Sequence, residues 1–204
     1  TGAIRDIERR NPSPADLGDL IEQLRSPDGN RRREALRRLA DVRLDDAARA
    51  RILAAARPLL VDAEEGTQNE ALRMLRAQRG PEVVDALLEA CRDPAFRPWR
   101  DAVQALAERA PTPAVAEVVV GRLADDRGHC IRTLEKIGPA AGPVVLKAFQ
   151  ESKDSRERLE LCRLLERVGT QDALTTLRES SGRKDSGALA RLAEEALRGI
   201  EERK

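Results

Sequence analysis

Asp154-Ser155-Arg156-Glu157-Arg158-Leu159-Glu160-Leu161-Cys162-Arg163-Leu164-Leu165-Glu166-Arg167-Val168-Gly169 is the stretch on which the fold turns. An aspartate opens it, a glycine closes it, and Cys162, Leu165 and Val168 recur at a spacing that one face of a helix can bury. The same apolar-x-x-Leu-x-x-apolar pattern appears as Leu36/Leu39/Val42 and Ile131/Leu134/Ile137. Partial copies occur at Leu72/Leu75, Val103/Leu106 and Leu197/Ile200. The anchoring leucines 39, 75, 106, 134, 165 and 197 are separated by 36, 31, 28, 31 and 32 residues. A period of this length is one helical hairpin per unit, and stacked hairpins make a solenoid.

Each anchor belongs to a second helix, and a first helix with its own stripe precedes it. Leu17/Leu20/Ile21/Leu24, Val83/Val84/Leu87/Leu88 and Val115/Val118/Val119/Leu123 are the clearest, followed by Val144/Val145/Ala148/Phe149 and Ala173/Leu174/Leu177. No stretch sustains the alternation of a strand. The second unit is irregular, and Pro58 is expected to kink or end its first helix. Gly80-Pro81, Gly138-Pro139 and Gly169-Thr170 fall just after second helices, where Gly is expected to close one helix in a left-handed turn and Pro or Thr to open the next. Thr67-Gln68-Asn69-Glu70 reads as a capping box. The expected fold is therefore all-α, a right-handed α-α superhelix of about six helix pairs at about 14–42, 45–79, 81–110, 113–137, 139–168 and 170–202. Together these form a single domain over 1–204. Residues 1–12 are expected to be a polar lead-in or partial capping helix.

The pattern resembles HEAT repeats, and in particular the short bacterial variety related to the phycobilisome-lyase HEAT-like group. The features that carry the resemblance are a Pro-led first helix, an Asp-containing loop, an Arg early in the second helix and a closing apolar-Gly pair. They are visible from Asp154 to Gly169, from Asp125-Asp126-Arg127 to Ile137-Gly138, and partly in Asp28 with Arg32 and Arg33. The third unit departs by placing Trp99 where the early Arg would sit, and the second lacks the Asp-Pro loop. The resemblance implies first helices on a convex side and second helices on a concave side. Such repeats serve as scaffolds, adaptors, enzyme subunits and nucleic-acid binders, so the resemblance does not choose among functions. A bilin-lyase-like subunit is implied only by this kinship.

Composition narrows the classes further. Lys+Arg 37 against Asp+Glu 36 gives a formal net charge of +1, so no global field draws the chain to nucleic acid or anionic lipid. Tyr is absent and the apolar residues are mostly Ala, Leu and Val. Cys91, Cys130 and Cys162 form no C-x-x-C pair, and the expected compartment is a reducing cytoplasm. No apolar run approaches the ~18 residues that insertion into a bilayer needs. The chain begins Thr1-Gly2 without Met, as expected of a domain excised from a longer protein or of a tag remnant.

Aligning units on the anchors puts Arg37, Arg73, Arg132 and Arg163 at one position, two residues before the leucine, with Gln104 and Glu195 in the other units. Stacked outward, they are expected to make a stripe along the concave face, able to fork onto the carboxylate or phosphate of an acidic peptide, a phosphorylated segment or a nucleic-acid backbone. The competing reading is a solvated face whose charges pair with Glu70, Glu135, Glu160 and Glu166. The early arginines Arg32, Arg127 and Arg158, close to Asp28, Asp125/Asp126 and Asp154, are expected to form an inter-repeat ladder. Trp99, with Arg100 beside it, is either an exposed partner anchor or the filling of an inter-repeat gap. His129 is the only histidine. Its neighbour Cys130 points about 100° away on a helix, so the two do not converge as a nucleophile and its base. No phosphate loop, nucleophile elbow or metal-hydrolase motif occurs, and no cofactor is expected. The expected function is a non-catalytic scaffold or regulatory module with a protein partner, with nucleic-acid binding as the alternative.

Overall fold

In the computed structural model, which describes residues 14–42, 45–181 and 187–202, the described residues form helices, turns and short connections, with no strand among them. The chain divides into two compact units, Thr1–Ala102 and Val103–Lys204, the division falling inside a helix.

The first unit contains α1 (Pro14–Leu24), α2 (Gly29–Ala40), α3 (Asp46–Ala56), α4 (Glu65–Ala77), α5 (Pro81–Arg92) and the start of α6 (Trp99–Arg109). First helices stack on first helices, α1 on α3 and α3 on α5, while α2 packs on α4. The physical cause is the placement of apolar residues. Leu36 and Leu39 of α2 and Leu72 and Leu75 of α4 are buried, and their exposed neighbours are charged. Deleting any one of these leucine side chains would cost about 2–5 kcal/mol. Pro58 acts as expected: α3 stops at Ala56 and a 3-10 segment runs over Arg57–Val61. Gly80 ends the second repeat at φ 130°, a conformation that glycine adopts without strain, and Pro81 then opens α5.

The second unit contains the rest of α6 with α7 (Pro113–Gly121), α8 (Arg127–Ile137), α9 (Gly142–Glu151), α10 (Ser155–Val168), α11 (Ala173–Ser181) and α12 (Gly187–Glu201). Here α7 packs on α9 and α9 on α11, while α8 packs on α10 and α10 on α12. The two-layer stack is the α-α solenoid that the period of the sequence predicts. Asp126 caps α8 by accepting from the His129 amide at 3.1 Å, and Asp154 caps α10 by accepting from the Arg156 and Glu157 amides at 2.7 and 3.1 Å. These two bonds, led by the one from Glu157, hold the Asp154 carboxyl below its ordinary range.

Three expectations need correction. The capping box at Thr67 is absent, because α4 begins two residues earlier and Thr67 is buried inside it. Gly169 closes α10 at φ −64°, not in a left-handed turn. In α12 the buried positions are Ala193, Ala196 and Ile200, whereas the supposed anchor Leu197 is half-buried. Among the described residues α12 has no following helix to cover its far side, so its apolar stripe is narrower. The expectation for residues 1–12 lies outside the described residues.

Candidate functional site

The second helices turn one face to the core and the other to solvent, and the four aligned arginines are all exposed on that outer side. Their electrostatic surroundings differ between the units. In the first, Arg37 on α2 donates through Nε to Oε1 of Glu70 on α4 at 2.9 Å, with Glu34 at 3.9 Å from its Nη1. Arg73 places Nη1 3.6 Å from Oε2 of the same Glu70. One carboxylate therefore stands between two guanidiniums and neutralises much of their field.

In the second unit Arg132 on α8 and Arg163 on α10 hold no ion pair or hydrogen bond among the described residues. The cause is register. Three residues before the arginine, Arg37 has Glu34 and Arg73 has Glu70, but Arg132 has His129. Arg163 does have Glu160 at that position, yet Glu160 is drawn across to Arg127 on α8 at 3.1 Å. Glu135, three residues after Arg132, is taken by Arg167 on α10. Two of the carboxylates offered as partners for the stripe are thus engaged by other arginines.

Of the early arginines, Arg32 and Arg127 reach the following repeat, with carboxylates other than the loop aspartates, whereas Arg158 contacts its own repeat. Arg32 donates to the Ser26 and Pro27 carbonyls, each at 3.0 Å, and to Oδ1 of Asp62 at 3.2 Å. Arg33 pairs with Glu64. Arg158 lies over the Phe149 ring at 5.0 Å. Asp28 is occupied in capping α2, where its Oδ1 accepts from the Asn30 amide at 2.8 Å. Asp28, Asp126 and Asp154 thus cap the second helices of their repeats, while Arg32 and Arg127 each reach a carboxylate of the following repeat.

Gln68 was hidden by the capping-box reading. It is buried, and its Nε2 donates to the Asp62 carbonyl at 2.7 Å and the Ala95 carbonyl at 3.0 Å. Its Oε1 accepts from the Arg97 amide at 2.9 Å. A polar residue in the place where neighbouring repeats carry the early arginine was the available signal.

Trp99 is not a surface anchor. It is the first residue of α6 and only 5% exposed, so the indole fills space inside the first unit, with the Arg100 guanidinium 4.9 Å from its ring centroid. Phe96 is buried as well. Arg100 remains exposed.

All three cysteines are buried, and burial, then the nearby Glu166 charge, pushes the Cys162 thiol up to about 12, which keeps it protonated at neutral pH. Among the described residues no group of three or more His, Cys, Asp or Glu side chains is placed to hold a metal ion. None of the described helices is long and apolar enough to cross a membrane.

Comparison with known proteins agrees with the geometry. No curated protein matches the chain. Among solved structures, an engineered protein determined by the Northeast Structural Genomics Consortium aligns over 92% of this chain and 97% of its own, at 22% identity and a TM-score of 0.50. A second engineered protein from the same consortium aligns over 92% of this chain and 58% of its own, at 22% identity and a TM-score of 0.48. The first of these likenesses supports the fold. The HEAT-repeat family matches residues 17–107, which contain the leucine anchors Leu39, Leu75 and Leu106. The helical pairs over 17–107 are thus similar to HEAT repeats, and the architecture is an α-α solenoid.

Proposed function

We propose that this chain is a non-catalytic protein-interaction scaffold that holds a partner on the outer faces of its second helices. The observation that carries this reading is the repeat itself. Stacked helical pairs expend their apolar residues on neighbour-to-neighbour packing and leave an ordered, charged face with no other evident use. The exposed arginines at one repeat position support it, because guanidinium forks recognise carboxylate and phosphate with directional bonds. Three buried cysteines with no disulfide among them support a reducing, cytoplasmic setting. A bilin-lyase-like subunit draws support only from the resemblance to the phycobilisome-lyase group, and nothing in the residues described adds to it.

The test is affinity capture followed by carboxylate-directed cross-linking and mass spectrometry, on the parent protein and on a variant with Arg37, Arg73, Arg132 and Arg163 all changed to Glu. The expected result is a partner cross-linked to α2, α4, α8 or α10 and lost from the variant. Capture unchanged in the variant, or cross-links confined to the first helices, refutes the proposed face. A salt-sensitive shift of labelled duplex DNA that disappears in the variant would instead favour nucleic-acid binding.

A further inference from the structure

The two outer arginines of the second unit differ from those of the first in forming no ion pair among the described residues, and the surrounding ion pairs fix where they stand. Arg127 on α8 reaches Glu160 on α10 at 3.1 Å, and Glu135 on α8 meets Arg167 on α10. The first pair joins positions 33 residues apart and the second 32. The helices therefore run parallel with a nearly constant offset, and the two bridges bracket Arg132 and Arg163 at either end. At that offset Arg163 faces the stretch between Cys130 and Ile131, so the two arginines are displaced by only ~2 Å along the helix direction. Packed helices lie ~8–10 Å apart, within reach of two extended guanidinium side chains converging on one anion.

We infer that Arg132 and Arg163 form a two-pronged oxyanion site that receives an acidic segment of a protein partner, one carboxylate or phosphate seating between the guanidiniums. This rests on the scaffold reading above and narrows it to one site in the second unit. Three features select a short acidic peptide over a nucleic-acid strand. The bracket from 127 to 135 spans ~12 Å of helix, about four residues of extended chain. Each end of the bracket presents a carboxylate already engaged with an arginine, which is neutral ground for a single anion and repulsive to a continuing row of phosphates. The chain as a whole carries a formal charge of only +1. The flanking bridges also engage Glu160 and Glu135, the carboxylates three residues before Arg163 and three after Arg132.

Fluorescence anisotropy tests this with four labelled probes. These are a short peptide with two central glutamates, the same peptide with a central phosphoserine, the same with glutamines, and oligothymidylate. Both anionic peptides are expected to bind and to weaken as salt rises, while the glutamine peptide does not bind. The stronger of the two identifies whether carboxylate or phosphate is the preferred oxyanion. Changing Arg132 and Arg163 together to Gln is expected to lower affinity by about tenfold or more, because two charge-assisted contacts are lost. Changing Arg37 and Arg73 to Gln should alter affinity by less than about twofold. Equal binding by the Arg132→Gln/Arg163→Gln variant, equal binding of the glutamine peptide, or tighter binding of oligothymidylate than of either acidic peptide overturns the inference. If the acidic peptides fail while the capture experiment still yields a partner on the second helices, this site falls and the scaffold reading stands. If capture fails and the peptides bind with the expected arginine dependence, the reverse holds.

Discussion

Replacing Gln68 with Leu is the sharpest probe of how the first unit is held together. The side chain is 3% exposed and joins three backbone groups from two connections: the carbonyls of Asp62 and Ala95 and the amide of Arg97, at 2.7, 3.0 and 2.9 Å. Leucine has a similar volume and leaves little cavity, so the cost is almost wholly polar. Three bonds at about 1 kcal/mol each come to about 3 kcal/mol, and more where the orphaned groups stay out of reach of water. Against a total stability of about 5–15 kcal/mol this is a large fraction. With a urea dependence of about 2 kcal/mol per molar, the midpoint should fall by about 1.5 M. Hydrogen exchange localises the effect, since the Arg97 amide should lose protection. Gln68→Glu adds a second test. A carboxylate keeps the acceptor for Arg97 but faces two carbonyl oxygens, so its pKa in the folded state is raised. Folding then takes up a proton, and the variant should become more stable as pH falls through that raised value. A midpoint shift below about 0.5 M for Gln68→Leu, with Arg97 exchange unchanged, would refute the account of Gln68 as a brace between repeats.

Arg32→Met should cost about 2–3 kcal/mol in urea unfolding, because it removes the counter-charge from Asp62 and the donor from two carbonyls at a pair where both side chains are only 13% exposed. Arg73→Met should cost less than about 1 kcal/mol, because Arg73 is exposed and its partner Glu70 keeps the bond from Arg37. For Asp154 the folded carboxyl titrates below its ordinary value, so its stabilising contribution is present above pH 3.8 and is lost as pH falls through the lowered folded value. Asp154→Ala should therefore lower the melting temperature at neutral pH and reduce the acid sensitivity of the parent, and equal melting temperatures at pH 7 would contradict the cap. Iodoacetamide at pH 8 should leave Cys91, Cys130 and Cys162 unmodified in the folded protein and alkylate all three in urea, read by intact mass. A rapidly labelled native thiol would show that one of them is accessible.

The period of anchoring leucines was enough to determine the helical hairpin and its repetition, because burial of an apolar stripe is a local requirement that each repeat states again in its own residues. Leu39, Leu75, Leu106, Leu134 and Leu165 are all buried as that period predicts. Pro58 and Gly80 were legible for the same reason, since their backbone limits do not depend on a distant partner. The places where the reading failed share one feature. Thr67-Gln68-Asn69-Glu70 matches a cap by spacing, but the helix starts at Glu65 because Gln68 is needed inside to meet carbonyls that only tertiary packing brings to it. Leu197 fits the period, yet α12 buries Ala193, Ala196 and Ile200, because among the described residues no following helix covers its far side. Trp99 beside Arg100 was ambiguous in sequence and is settled by burial.

The arginine stripe divides along the same line. That four units carry Arg two residues before the anchor follows from the chain alone. Which of them stay unpaired does not, because Glu70 is shared between Arg37 and Arg73, while Glu160 and Glu135 leave Arg163 and Arg132 for Arg127 and Arg167. Local periodicity places a charge on a face. Its neutralisation is decided by the residue that stacking brings opposite it, some thirty positions away in the sequence.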